Sequence, residues 1–313
     1  MVSLTVAVQR SDNPVGRWMR TTFPHLTPLQ QTVRDAVDDI VVTPPEAVAL
    51  GTQGAAIDYW LRMLVGERVS LELPAKGLWG PPSGFNAAGR ALLAELCPRR
   101  PTIFEPALHA GRPDEWWART CYALALLVER YRSPLVTGSR LFTLPPGSGA
   151  AELLALANDD EVADLIAMRD LARTRLLPRL AAGEVHTGPT FDGPLAADGD
   201  LVVAGLLIDV KAGRGGKPRL DGSRSPTLAA TDVYQLLGYA LLDFSDRYAL
   251  QSVGIYAARF GYLAQWPLPS FIRQATGRTD VGLLTLRQQF GDLLTAGLTA
   301  GLTTGPTGGL TAG

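Results

Sequence analysis

Apolar positions recur at helical spacing through most of the first 180 residues of this 313-residue chain. Thr27-Pro28 supplies a cap and a first turn, so Leu29–Ile40 reads as a helix. Gly54–Val65, Asn86–Cys97 and Pro113–Arg132 read as three more. In the last, Trp116, Ala123, Leu124, Leu127 and Tyr131 fall at the spacing of a core-facing stripe. Residues 73–84, rich in Pro and Gly, read as a loop. Residues 144–149 break the chain before a helical stretch over Ala150–Leu180 with one interruption.

The texture changes near residue 187. Leu201–Lys211 is two short apolar runs around Ala204-Gly205, which reads as a β-hairpin. Residues 212–226 form a flexible basic loop, and Thr231–Leu242 returns to helix with Thr231 or Asp232 as its cap. Ser252–Arg259 and Tyr262–Leu268 read as a second strand pair around Phe260-Gly261, and Val281–Leu294 as a final helix. From Thr295 the chain is a low-complexity Thr/Ala/Gly/Leu tail, for which disorder is the expectation. The implied organisation is a mainly helical region over 1–150 that contributes a core helix at 54–65, an α/β unit over 151–294, and the tail 295–313. The fold class is α+β: a small mixed sheet flanked by helices.

Composition narrows the chemistry. Two cysteines (Cys97, Cys121) and three scattered histidines (His25, His109, His186) build neither a zinc finger nor an iron–sulfur site. They make no disulfide framework either, so a reducing compartment is expected. Thirty acidic residues against 29 basic ones exclude a globally basic nucleic-acid coat. The N-terminus lacks the basic and apolar regions of a signal peptide, and no apolar run reaches the length of a membrane span, so a cytoplasmic protein is expected. Only three of the 29 basic residues are lysine (Lys76, Lys211, Lys217), and Lys211 falls in the most informative stretch. Where arginine serves almost everywhere, an ammonium at Lys211 points to a position a guanidinium does not suit, although Lys76 and Lys217 stand where no such need is seen.

That stretch is Asp200, then eight residues, then Asp209-Val210-Lys211. Alternation along a strand puts Asp209 and Lys211 on one face, and a turn at Ala204-Gly205 brings Asp200 back beside Asp209. Charges among Leu, Val and Ile are costly unless they bind something. Two carboxylates suit Mg²⁺ or Mn²⁺, and a lysine beside them can orient a water or stabilise developing charge on a phosphodiester.

This pattern resembles the PD-(D/E)xK nuclease superfamily, in which an Asp and a downstream (D/E)-x-K end two strands of a small mixed sheet. The Pro before the first Asp is absent here, and Asp198 is the alternative first acid. Gln235 and Tyr239 lie at i and i+4 in the following helix, resembling the QxxxY motif of the RecB-like branch. Gly54 and Asp58 fit that branch's upstream G-x3-H spacing, with Asp replacing His. The resemblance implies a restriction-endonuclease-like core and a Mg²⁺- or Mn²⁺-dependent DNA nuclease. Asp200, Asp209, Lys211, Gln235 and Tyr239 would be catalytic, and Asp200, Asp209, the Val210 carbonyl and Asp58 would hold the metal. Repair, mobile elements and defence against phage are the settings such nucleases serve.

The loop after Lys211 carries Arg214, Lys217, Arg219 and Arg224, candidates for phosphate contact. Its Gly-Lys is followed by Pro218, so it is not a P-loop. No Ser–His–acid arrangement supports a serine hydrolase, and Trp116-Trp117 offers either core or a stacking platform. Two function classes stay open: the metal-dependent nuclease, and a non-catalytic protein of the same fold that binds nucleic acid or a protein partner. A second copy of the chain is a further open partner.

Overall fold

The computed structural model describes residues 2–37, 39–80, 83–133 and 138–303. Among them the chain forms a mixed α/β structure of twelve α-helices around a five-stranded mixed sheet. Three helices open it: α1 (Leu4–Gln9), α2 (Pro14–Thr22) and α3 (Thr27–Arg34). The first two are too short to show a helical period, yet both are capped. Ser3 accepts from the Val6 N–H and Asn13 from the Val15 N–H, with Pro14 in the first turn of α2. Helix α3 ends at Arg34 rather than Ile40. Beyond it the Val41 and Val42 N–H groups both donate to the Arg259 carbonyl at 2.9 Å, a tertiary contact that outweighs local helix preference.

Next come α4 (Leu50–Val65), β1 (Val69–Ser70), α5 (Glu72–Lys76), α6 (Gly84–Leu96), β2 (Ile103–Phe104) and α7 (Asp114–Arg132). The stretch expected as loop over 73–84 therefore holds most of a short helix, whose Gly77 lies against the Leu127 carbonyl of α7. The helical stretch after residue 150 is interrupted once, as its pattern implies, into α8 (Ala150–Leu154) and α9 (Asp159–Arg175). A reciprocal capping box restarts it: Asn158 accepts from the Glu161 N–H, and Glu161 accepts from the Asn158 N–H.

The sheet follows: β3 (Val185–Thr187), β4 (Leu201–Val203) and β5 (Leu206–Lys211), then α10 (Ala230–Leu242), β6 (Ser252–Ala257) and β7 (Tyr262–Pro267). Its order is β3-β4-β5-β6-β7, with β5 and β6 parallel and the other pairs antiparallel. Helix α10 is the crossover that a parallel pair requires. Leu201 lies opposite Ile208 and Val203 opposite Leu206, joined by Ala204 and Gly205 with φ of 47° and 76°. Both central residues are left-handed, the geometry that matches strand twist, and Ala204 adopts it without a glycine's freedom.

Two helices close the described chain, α11 (Leu268–Thr276) and α12 (Leu283–Thr303). The first replaces the end of the expected strand. The second runs past Thr295, where structure was expected to stop, through Thr303. The rest of the expected tail, 304–313, lies outside the described residues.

One sheet face, with Leu201, Ile208, Val210, Tyr256 and Leu263, packs on a cluster built largely from α4, α6, α7 and α9. The other, with Val202, Leu207, Val253, Ile255 and Ala264, packs on α1–α3 and α10–α12. Residues before 150 thus cover both faces of the sheet. Gly238 lets α10 approach closely, since a Cβ there would stand 2.7 Å from the Leu4 side chain of α1. Among the described residues no helix is long and apolar enough to cross a membrane.

Arg259, fully buried after β6, ties three segments to the end of the sheet. Its guanidinium binds Asp164 of α9 through two bonds of 2.6 and 2.8 Å. Its Nε donates to the Ala212 carbonyl at 2.7 Å, fixing the residue that follows Lys211.

Candidate active site

Beyond the Leu201–Ile208 pair, the next residues outward on β4 and β5 are Asp200 and Asp209. The hairpin closes with a side chain: Asp200 Oδ2 accepts from the Val210 N–H at 2.7 Å. A strand residue's N–H and C=O leave on the same side, so the Val210 carbonyl also faces the Asp200 edge. The Val210 side chain enters the opposite core layer. Asp209 and Lys211 lie on the α10 face, with Lys211 Nζ 2.7 Å from Asp209 Oδ2 and 3.3 Å from Asp232 Oδ1. The closer contact pairs the buried Asp209 Oδ2 with the ammonium.

These groups line one side of an open cleft of about 470 Å³, together with Gly54, Asp58 and Arg62 of α4 and Gln235 of α10. Burial, reinforced by the neighbouring Asp200 charge, pushes the Asp209 carboxyl up to about 7, against the pull of Lys211. Burial also works against the charge on Lys211, but Asp209, Asp232 and Asp200 outweigh it and hold the ammonium above its ordinary value.

Gln235 and Tyr239 meet as their spacing implies: the Gln235 amide donates to the Tyr239 hydroxyl at 2.6 Å. Tyr239 in turn donates to the Asp198 carbonyl at 2.8 Å. Tyr239 is only 2% exposed and does not line the cleft. Its phenol, raised far above its ordinary value chiefly by burial, stays neutral. Tyr239 therefore holds the Asp198–Asp200 segment in place instead of reaching a ligand. Asp198 contributes its backbone there, and of the two acids Asp200 is the one that lines the cleft.

Asp58 lies in the cleft, but both its oxygens accept from Arg62 one turn later. As arranged it anchors a guanidinium rather than offering itself as a ligand. Arg62 was not apparent from the motif, although an Asp and an Arg at i and i+4 form a helical ion pair. It is 4% exposed, stacks over Tyr59 at 5.1 Å and stands 3.3 Å from Asp200 Oδ1. Asp232 was read only as a cap. It does serve the helix start, accepting from the Ala229 N–H at 2.9 Å, and it is also the second acid on Lys211.

The basic loop is tied down where the sequence suggests flexibility. Arg214 donates to the Pro45 and Glu46 carbonyls, Arg224 to the Gly216 carbonyl, and Arg219 to Ser223 and Ser225. Lys217 points to solvent. Trp116 and Trp117 are half-buried against the helical core, with His109 stacked on Trp116.

Two carboxylates and a strand carbonyl at a cleft are a donor set suited to a hard divalent cation. Among the described residues no group of three His, Cys, Asp or Glu side chains converges to hold a metal, so waters or substrate oxygens would complete the shell. No family model, curated protein or solved structure matches the chain.

Proposed function

We propose that the chain is a metal-dependent nuclease with a restriction-endonuclease-like core, acting on DNA. What carries the reading is the convergence of Asp200, Asp209 and Lys211 at the end of one hairpin, under the helix bearing Gln235 and Tyr239. The sheet is small and mixed, and the Gln–Tyr helix follows the D-x-K strand directly, as that resemblance requires. Asp200, Asp209 and the Val210 carbonyl are the residues to hold Mg²⁺ or Mn²⁺. Such an ion would neutralise phosphate charge and lower the pKa of a bound water. The Lys211 ammonium, kept charged by three acids, orients the attacking water or stabilises charge on the phosphate. Gln235 presents an amide to the cleft, and Tyr239 fixes its direction.

A second reading has its own support. Arg62 neutralises Asp58 and Asp200 with a guanidinium near the place a further acid or histidine would serve a metal. That arrangement fits a non-catalytic protein of this fold that binds nucleic acid or a protein partner. Incubating labelled DNA with the protein and Mg²⁺ or Mn²⁺ separates the two. Cleavage that is lost in Lys211→Ala and Asp209→Asn supports the nuclease. Cleavage surviving in both removes this mechanism, and none in the wild type favours the second reading.

A further inference from the structure

Large aromatic side chains stand on the surface around the last turn of α7. Trp79 is 50% exposed, Phe142 47% and Tyr131 37%. Exposed aromatics gathered in one place mark an interaction surface. Here cations are interleaved with them. The Arg130 guanidinium lies 4.2 Å from the centre of the Trp79 ring and 6.0 Å from that of Phe142, so one cation sits between two rings. Lys76 Nζ lies 5.9 Å from the centre of the Tyr131 ring. Phe85, buried, meets Phe142 edge to face at 5.6 Å and holds that ring upright.

The ridge and the cleft share two elements. Arg130 and Tyr131 are in the last turn of α7, whose Val128 and Arg132 line the cleft, and Lys76 ends α5, whose Leu73 lines it too. Against Lys76, Arg130 and Arg132, these turns carry the acids Glu72 and Glu129.

We propose that this ridge is a stacking surface for single-stranded nucleic acid, leading bases past Trp79 and Phe142 while Lys76 and Arg132 follow the phosphates. Exposed rings interleaved with cations match the π-faces and phosphates of an unpaired strand, whereas a duplex keeps its bases stacked on one another. An apolar protein partner would meet a charged guanidinium at the centre of the patch. The proposal starts from the nuclease reading and names its substrate class.

Binding of short labelled oligothymidylate and of a duplex of equal length, followed by fluorescence anisotropy in EDTA, tests the ridge without cleavage. The single strand is expected to bind more tightly than the duplex. Trp79→Ala with Phe142→Ala is expected to weaken single-strand binding about ten-fold, while Trp79→Tyr keeps most of it. Both sites are exposed, so unchanged urea midpoints are expected and confirm that the fold is intact. No single-strand binding, or binding indifferent to the double substitution, overturns the proposal. Parallel reactions with Mn²⁺ keep the two ideas apart. Ridge-dependent binding without cleavage upholds the ridge and sinks the nuclease reading. Cleavage with ridge-independent binding does the reverse.

Discussion

Arg62 and Asp200 meet across two layers of the fold, a helix guanidinium 3.3 Å from the first carboxylate of the hairpin. Asp58 holds the other edge of that guanidinium, and all three groups are largely shielded from water. Removing one member of such a cluster leaves buried charge uncompensated. Arg62→Ala is expected to lower stability by about 3–5 kcal/mol, read from urea unfolding. The double variant Asp58→Asn with Arg62→Gln should recover part of that loss, since it removes both charges of the bidentate pair. Equal losses in the single and double variants would show that packing, not charge, is what Arg62 supplies.

Asp209 should make the protein less stable as pH rises. Its folded pKa lies near 7, above the ordinary carboxylate value, because burial disfavours the charge. A group raised on folding contributes stability that is complete below its unfolded pKa of about 3.9 and lost as pH climbs through the folded value. Asp209→Asn escapes that loss. It is expected to match the wild type near pH 4 and to exceed it at pH 8 by up to about 4 kcal/mol, less whatever the Lys211 ammonium loses with its partner. If Asp209 holds the metal, Mg²⁺ at a hundred times Kd should narrow that gap by about 2.7 kcal/mol, stabilising the wild type and leaving the variant unmoved. Thermal unfolding across pH, with and without Mg²⁺, checks both halves, and a pH-independent difference would rule out the buried charge as its source.

The hairpin, the strand pair and the Gln–Tyr helix were legible because each is local. Two positive-φ residues, a period of two and a period near four need only neighbouring residues to specify them. Arg62 and Arg259 were illegible as site-builders for the opposite reason. Nothing near Arg62 in sequence names Asp200, and nothing near Arg259 names Asp164 or Ala212. The basic loop misled through composition: its arginines look free in sequence, but Arg219 and Arg224 bond within the loop and Arg214 reaches the Pro45 and Glu46 carbonyls that only folding brings near. Helices α1, α2 and α5 escaped because five to nine residues carry too little period, although the caps at Ser3 and Asn13 were there to be read.

Tyr239→Phe removes one hydroxyl and with it two bonds, from Gln235 and to the Asp198 carbonyl. The expected cost is about 1–3 kcal/mol, because the carbonyl loses its buried donor. Hydrogen exchange should rise at Gly199 and Leu201, on either side of the first acid. If the nuclease reading holds, cleavage should fall while the pH at half-maximal rate stays fixed, since the phenol never titrates near neutrality. A shifted pH profile in Tyr239→Phe would instead give the hydroxyl a direct part in proton transfer.

Lys217 and Arg224 separate contact from architecture within one loop. Lys217 is exposed with its ammonium in solvent, whereas Arg224 donates to the Gly216 carbonyl at 2.7 Å and its backbone N–H to Asp39 at 3.0 Å. If the loop meets phosphate, Lys217→Ala should reduce the slope of log affinity against log salt by about one with unfolding unchanged. Arg224→Ala should instead raise hydrogen exchange through residues 213–226, because a carbonyl that pins the loop loses its donor. Its effect on affinity would then come from a loosened loop and would be similar for every DNA sequence. A salt slope that ignores Lys217 but responds to Arg224 would place the phosphate contact on the guanidinium and make Lys217 a solvated surface residue.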